Sequence, residues 1–121
     1  EAHGDLRPEH VCLTDPPMVI DCLEFDRALR VQDVADELSY LAMECEFAGA
    51  PFIGPIVLET YERLTGDRIP PSLSAFHGSL RALIRAKLAV WHLPDYPAET
   101  HGHWLSQASG YLTLAVHHVP D

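Results

Sequence analysis

Apolar residues recur at three- and four-residue intervals over four stretches, all of them after residue 30. Before residue 30 the apolar runs are short. Residues 9–13 and 18–22 read as two strands, joined by Thr14-Asp15-Pro16-Pro17, where the prolines fix φ and supply no backbone donor. Residues 23–30 have no clean period and read as a loop. A first helix is expected over 31–47, with Val31, Val34, Ala35, Leu38, Leu41, Ala42 and Cys45 along one face. Asp33, Asp36 and Glu37 sit in its first turns, where the helix dipole favours negative charge, and Gly49 with Pro51 stops it. A second helix is expected over 52–64, with Pro55 tolerated in its first turn. Ser72 or Ser74 would cap a third, running to about residue 91 with Leu73, Phe76, Leu80, Leu83, Ile84 and Leu88 inward. A fourth, over about 99–117, carries Trp104, Ala108, Tyr111, Leu112 and Ala115. Phe76, Trp91, Trp104 and Tyr111, at helical spacing, read as core. The expected fold class is α+β, mostly α: a β-hairpin followed by about four helices.

Composition narrows the partners. The chain has 121 residues, 47 % of them hydrophobic and 21 % charged, which is globular and sized for a single domain over residues 1–121. Its net charge of -10 comes from 8 Lys+Arg against 18 Asp+Glu, so nucleic acid and acidic membrane surfaces are excluded as expected partners. A small phosphorylated ligand stays open, because a bound cation can supply positive charge. Cys12, Cys22 and Cys45 have no C-x-x-C spacing, and no run reaches the length of a membrane span. The polar, acidic start has no signal-peptide character, and a cytoplasmic location is expected. Glu1 rather than Met stands first, pointing to a terminus made by cloning or cleavage.

Two acidic positions carry candidate chemistry. Asp5 lies in a loop ahead of the first expected strand, and Asp21 lies at the end of the second, so a hairpin would bring them together. Phosphoryl transfer needs one aspartate to orient the attacking hydroxyl and accept its proton, and another to hold magnesium against the phosphates. The histidine clusters His101-x-His103 and His117-His118 do not share a helix face and read as surface or helix-end residues. His77 and His92 read as structural. Arg27 and Arg30 either contact phosphate or tie the loop down by pairing with Asp26, Asp33 or Glu24; the ion-pair reading is favoured.

His3-Gly4-Asp5-Leu6, then Ile20-Asp21-Cys22-Leu23-Glu24-Phe25, then Val31-Gln32-Asp33-Val34-Ala35 resembles the C-terminal lobe of the aminoglycoside phosphotransferase and choline kinase superfamily, which has a protein-kinase-like fold. An uncharacterised bacterial subgroup of aminoglycoside-phosphotransferase-like proteins is the nearest likeness. The motifs cover residues 2–47. The resemblance implies a catalytic role for Asp5 and a magnesium-binding role for Asp21. It makes Asp33 a structural aspartate that fixes the backbone of the catalytic loop, with Asp36 as its rival, and it packs His3 beneath that loop. Glu24 and Arg7 would flank the site; for Glu24, a solvated loop acid is an equal reading.

His10 stands where most of the superfamily has a metal-ligating asparagine. Its nitrogen suits manganese or zinc better than magnesium. The implied parent uses ATP and Mg2+ to phosphorylate a hydroxyl of a small molecule; the alternative is a kinase-like binding or regulatory module without catalysis. The chain has no Gly-rich phosphate loop and no strand lysine in a nucleotide-lobe context. It is therefore expected to be a C-lobe fragment, inactive alone, binding no cofactor, and self-associating through exposed apolar helix faces.

Overall fold

The computed structural model describes residues 1–119. It is α+β and mostly α, as the patterning predicts. Strands β1 (Val11–Cys12) and β2 (Met18–Val19) pair antiparallel, Val11 opposite Val19 and Cys12 opposite Met18. They are shorter than the five residues each predicted. Pro8 starts a 3-10 turn, Pro8–His10, that takes the first two positions of the expected strand. At the other end Asp21 adopts φ 63°, outside extended backbone, and ends the run. The Ile20 N–H still donates to the His10 carbonyl at 2.9 Å, so the hairpin stays closed beside the turn.

Helix α1 (Val34–Phe47) starts three residues later than the periodicity predicts. The Asp33 carboxylate accepts from the Ala35 N–H at 2.8 Å, which makes Asp33 the cap and leaves Val31 and Gln32 outside. Helix α2 (Ile53–Thr65) follows. Helix α3 (Pro71–Trp91) begins at Pro70-Pro71 with no side-chain cap. Neither Ser72 nor Ser74 caps it, because proline at the first helical position has the fixed φ and needs no N–H partner there. Ser74 instead meets Ser39 of α1, Oγ to Oγ at 3.0 Å. Short 3-10 turns at Leu93–Asp95 and Ala98–Thr100 lead into α4 (His101–His117).

Helices α3 and α4 pack antiparallel. Ser79 donates to the Ala115 carbonyl at 2.8 Å, and six residues on Arg85 reaches back to Tyr111. The core gathers Tyr40 and Met43 from α1, Ala82 and Ala86 from α3, and Tyr111 and Ala115 from α4. Phe47 stacks on Tyr111 with ring centroids 3.9 Å apart.

The buried face of α3 is not the predicted one. Gly78, Ala82, Ala86 and Ala89 are buried, while Phe76, Leu80, Leu83, Ile84 and Leu88 are exposed and Leu73 is half-buried. Small residues let α3 approach α1 and α4 closely, so the interface selects the small stripe, and the large side chains lie on the opposite side. Trp91 is likewise exposed, against the expectation of a core position. Among the described residues no helix is long and apolar enough to cross a membrane.

Candidate functional site

The segment 2–10 is fastened at its N-terminal end. The Ala2 N–H donates to the Arg30 carbonyl at 2.7 Å, and the Leu23 N–H donates to the His3 carbonyl at 3.0 Å. Arg30 bonds the Leu23 carbonyl and pairs with Glu1 at 2.7 Å. Arg27 also lies near Glu1, at 3.6 Å. Both arginines therefore tie the loop down, but through Glu1 rather than Asp26, Asp33 or Glu24. Gly4 turns the chain at φ 88°, with Leu23 packed where a Cβ would project.

The backbone of this loop is held by Glu37. One carboxylate oxygen accepts from the His3 N–H at 2.7 Å and the Gly4 N–H at 3.1 Å. That role was expected of Asp33 or Asp36, and neither fills it. Asp33 is spent on capping α1. Asp36 lies one residue, about 100° of helix rotation, away from Glu37 and pairs with Arg81 of α3 at 2.7 and 2.8 Å, with His77 beside it at 3.5 Å.

Two imidazoles carry the loop's side of the site. His3 Nε2 lies 2.6 Å from the Ile20 carbonyl, and the Asp5 N–H points to His3 Nδ1 at 3.2 Å. A carbonyl only accepts, so these partners assign the proton of His3 to Nε2. His10 is buried and has the opposite tautomer: Nδ1 donates to the Asp5 carbonyl at 2.7 Å, and Nε2 faces the Arg7 guanidinium at 3.4 Å and the Asp21 carboxylate at 3.6 Å. The two rings stack at 5.4 Å. His3 thus bridges the Asp5 N–H and the Ile20 carbonyl. His10 bonds the Asp5 backbone and faces the Asp21 carboxylate.

Each oxygen of the Asp5 carboxylate has a protein partner. Tyr40 donates its hydroxyl to Oδ1 at 3.3 Å, and the Arg7 guanidinium lies 3.2 Å from Oδ2. Burial holds the Tyr40 phenol above its ordinary range, so it remains a donor. Arg7 also pairs with Glu9 at 2.9 Å. Asp21 is largely exposed, its side chain open to solvent beyond His10. Glu24 is exposed and takes part in no hydrogen bond or ion pair among the described residues.

Sequence reasoning missed Glu37 and Tyr40. It also missed the cluster one turn further along α1. Glu44 is buried, pairs with Arg85 at 2.7 Å and accepts the Tyr111 hydroxyl at 2.9 Å. Burial pushes the Glu44 carboxyl up, against the pull of Arg85 and Tyr111. Burial works against the Arg85 charge too, but Glu44 and Tyr111 outweigh it and hold the guanidinium above its ordinary range. Burial, reinforced by the Glu44 charge, pushes Tyr111 up to about 12.

Tested against a divalent cation, the donor set is small. Among the described residues no three His, Cys, Asp or Glu side chains gather around one point. Asp21 offers exposed carboxylate oxygens of the kind magnesium takes, and magnesium commonly uses one or two carboxylates with phosphate and water. His10 offers only a nitrogen, already facing Arg7. Asp21 fits the ion; His10 fits it poorly.

No family model matches this chain, and no solved structure matches it. It is 39 % identical over 120 residues to an uncharacterised protein of Mycobacterium bovis and to uncharacterised proteins from two strains of Mycobacterium tuberculosis. The aligned region covers 98 % of this chain and 23 % of each relative, so the chain spans less than a quarter of the length of the curated relatives it matches.

Proposed function

We propose that this chain carries the catalytic and metal-binding loops of a phosphotransferase that moves the γ-phosphoryl group of ATP to a hydroxyl of a small molecule. The observation that supports this reading is that one buried imidazole lies between the two acidic loops. His10 bonds the Asp5 carbonyl on one side at 2.7 Å and faces Asp21 on the other at 3.6 Å. Asp5 orients the acceptor hydroxyl and takes its proton; Tyr40 and Arg7 hold the carboxylate in place while leaving each oxygen a further lone pair. Asp21 is the residue that would hold magnesium, which when bound offsets the charge of the β- and γ-phosphates. His10 is a spacer between the loops rather than a ligand. The unpaired Cys12, Cys22 and Cys45 accord with a cytoplasmic setting for such a protein.

The test uses the full-length protein with ATP, magnesium and a panel of hydroxyl compounds. Asp5→Asn is expected to lower kcat by about 10²–10⁴-fold while nucleotide binding persists. Unchanged turnover would mean that Asp5 is not the base.

A second reading is a nucleotide-binding or regulatory module without catalysis. Arg7 across Asp5, together with the imidazole of His10 beside Asp21, favours it. Calorimetry with Mg-ATP and Mn-ATP separates the two: metal-dependent binding without turnover on any acceptor supports the module.

A further inference from the structure

The outward sides of α3 and α4 are nearly free of charge. Among the exposed positions on these two helices Lys87 alone carries a formal charge, although 21 % of the chain is Asp, Glu, Lys or Arg. Helix α2, by contrast, exposes Glu59, Glu62 and Arg63. What α3 and α4 expose instead is large and apolar, and it recurs every seven residues. Phe76, Leu83 and Val90 are seven apart on α3, with Leu80 and Trp91 beside them. Leu105 and Leu112 are seven apart on α4, followed by Val116. A seven-residue apolar repeat keeps a stripe in line along a helix and is the pattern that packs against another helix. These stripes do not face the core, which α3 and α4 enter through Ala82, Ala86, Tyr111 and Ala115.

The two stripes flank a groove of about 310 Å³, floored by Ala86 and Ala108 and walled by Leu83, Val90, Trp91 and Leu112. The face therefore holds both halves of a knobs-into-holes contact: leucines that project, and a hole between them where the side chains are small. Its size suits a stable contact. The eight large residues of the stripes are each about half exposed. At roughly 150–250 Å² per large side chain they leave on the order of 800 Å² of apolar surface, about what each partner gives to a standard-sized interface. Charge points to the same face. Two copies of a chain with net charge -10 repel each other, and they do so least where neither presents a carboxylate. Lys87 lies 4.5 Å over the Trp91 ring, a cation–π contact that strengthens as water is removed.

We propose that the α3–α4 face is the contact of a two-fold homodimer, in which the four helices of two copies form a bundle and Leu83 and Leu112 of each copy enter the groove of the other. A face that carries both knob and hole is satisfied by its own copy, and a contact of one patch with itself closes at two chains. The bundle buries two antiparallel pairs of stripes at once, which is the packing that short-looped helix pairs adopt.

The test is sedimentation equilibrium of the 121-residue chain between about 1 and 100 µM, the upper end of the affinities that interfaces of this size show. The expected mass is twice the 13.5 kDa of one chain and rises no further with concentration. Leu112→Glu should raise the dissociation constant by about a hundredfold or more, because two-fold symmetry buries each new charge twice. Val116→Lys guards against loss of the fold: Val116 is 74 % exposed, and a cation in the last turn of α4 favours the helix. It should weaken association by at least about tenfold. Leu64→Lys, on the exposed end of α2 and off the face, should leave the dimer unchanged. A single-chain mass at about 100 µM overturns the proposal and leaves the face to a different partner. A mass that climbs past two chains, a dimer undisturbed by Leu112→Glu and Val116→Lys, or one equally weakened by Leu64→Lys overturns it as well.

Discussion

Glu37 and Asp33 make opposite predictions about what holds the Asp5 loop, and a pair of substitutions separates them. Glu37 receives two backbone N–H groups, from His3 at 2.7 Å and Gly4 at 3.1 Å. Hydrogen bonds to a charged group contribute about 1.5–3 kcal/mol, and neutral ones about 0.5–1.5. Glu37→Gln keeps the acceptor oxygen and removes the charge, so each bond loses about 1 kcal/mol by that difference. The pair loses about 2 kcal/mol, taken at the low end because the site is only part-buried. At 1.4 kcal/mol per factor of ten, protection of the His3 and Gly4 amides against hydrogen exchange should fall roughly 30-fold. Asp33→Ala removes a helix cap instead. It should cost about 1 kcal/mol, lower Tm by about 3–5 °C and expose the Ala35 amide, while His3 and Gly4 keep their protection. Exchange measured by NMR on both variants decides. If Asp33→Ala frees His3 and Gly4, and Glu37→Gln does not, the assignment of the clamp to Glu37 is wrong.

Two further outcomes follow from the same geometry. Gly4→Ala places a methyl group 2.9 Å from Leu23 Cδ1 at φ 88°, whereas Gly66→Ala, at φ 73°, meets open space. Each pays about 1–2 kcal/mol for the left-handed backbone, so urea denaturation should find Gly4→Ala the more destabilised of the two, with the Leu23 amide newly exchanging. Glu44 responds to pH. Its carboxyl is raised by burial above the unfolded value, so its contribution to stability is complete below the unfolded pKa near 4.5 and is lost as pH rises through the folded value. The stability of wild type relative to Glu44→Gln should therefore increase on acidification from pH 7.5 to pH 5, read from paired urea titrations. A difference independent of pH would show that burial does not govern Glu44.

The hairpin and the four helices are legible in the sequence because their signals are local. Pro16 and Pro17 mark the turn, Gly49 follows the end of α1, and the 3.6-residue period carries each helix. What the sequence does not rank is size against hydrophobicity. On α3 the large apolar residues and the stripe of Gly78, Ala82, Ala86 and Ala89 both satisfy helical spacing, about 170° apart. The choice between them is made by α1 and α4, which admit only the small face. The acidic residues 33, 36 and 37 are ambiguous for a related reason. Their roles depend on helix phase, and the phase depends on where α1 starts. With Asp33 outside the helix as its cap, Asp36 turns toward Arg81 and Glu37 toward the loop.

Once that phase is set, one face of α1 explains the candidate site. Glu37, Tyr40 and Glu44 are spaced three and four residues apart and therefore lie above one another. Glu37 holds the backbone before Asp5, Tyr40 holds the Asp5 carboxylate, and Glu44 is locked to Arg85 and Tyr111. Polar groups on the packed side of a helix would each be costly to bury alone. Glu37 and Tyr40 are offset by partners in the loop, and Glu44 by partners on α3 and α4. The spacing matters for order as well as for energy. Tyr40 cannot swing away from Asp5 without leaving the core that Tyr111 and Ala82 close over it, so the loop inherits the rigidity of the helix bundle. Among the described residues Asp21 faces His10 alone and stands exposed. The two acidic positions are thus held differently: a fixed one, which the proposed reading uses to orient a hydroxyl, and an open one, which that reading gives to an ion that brings its own ligands.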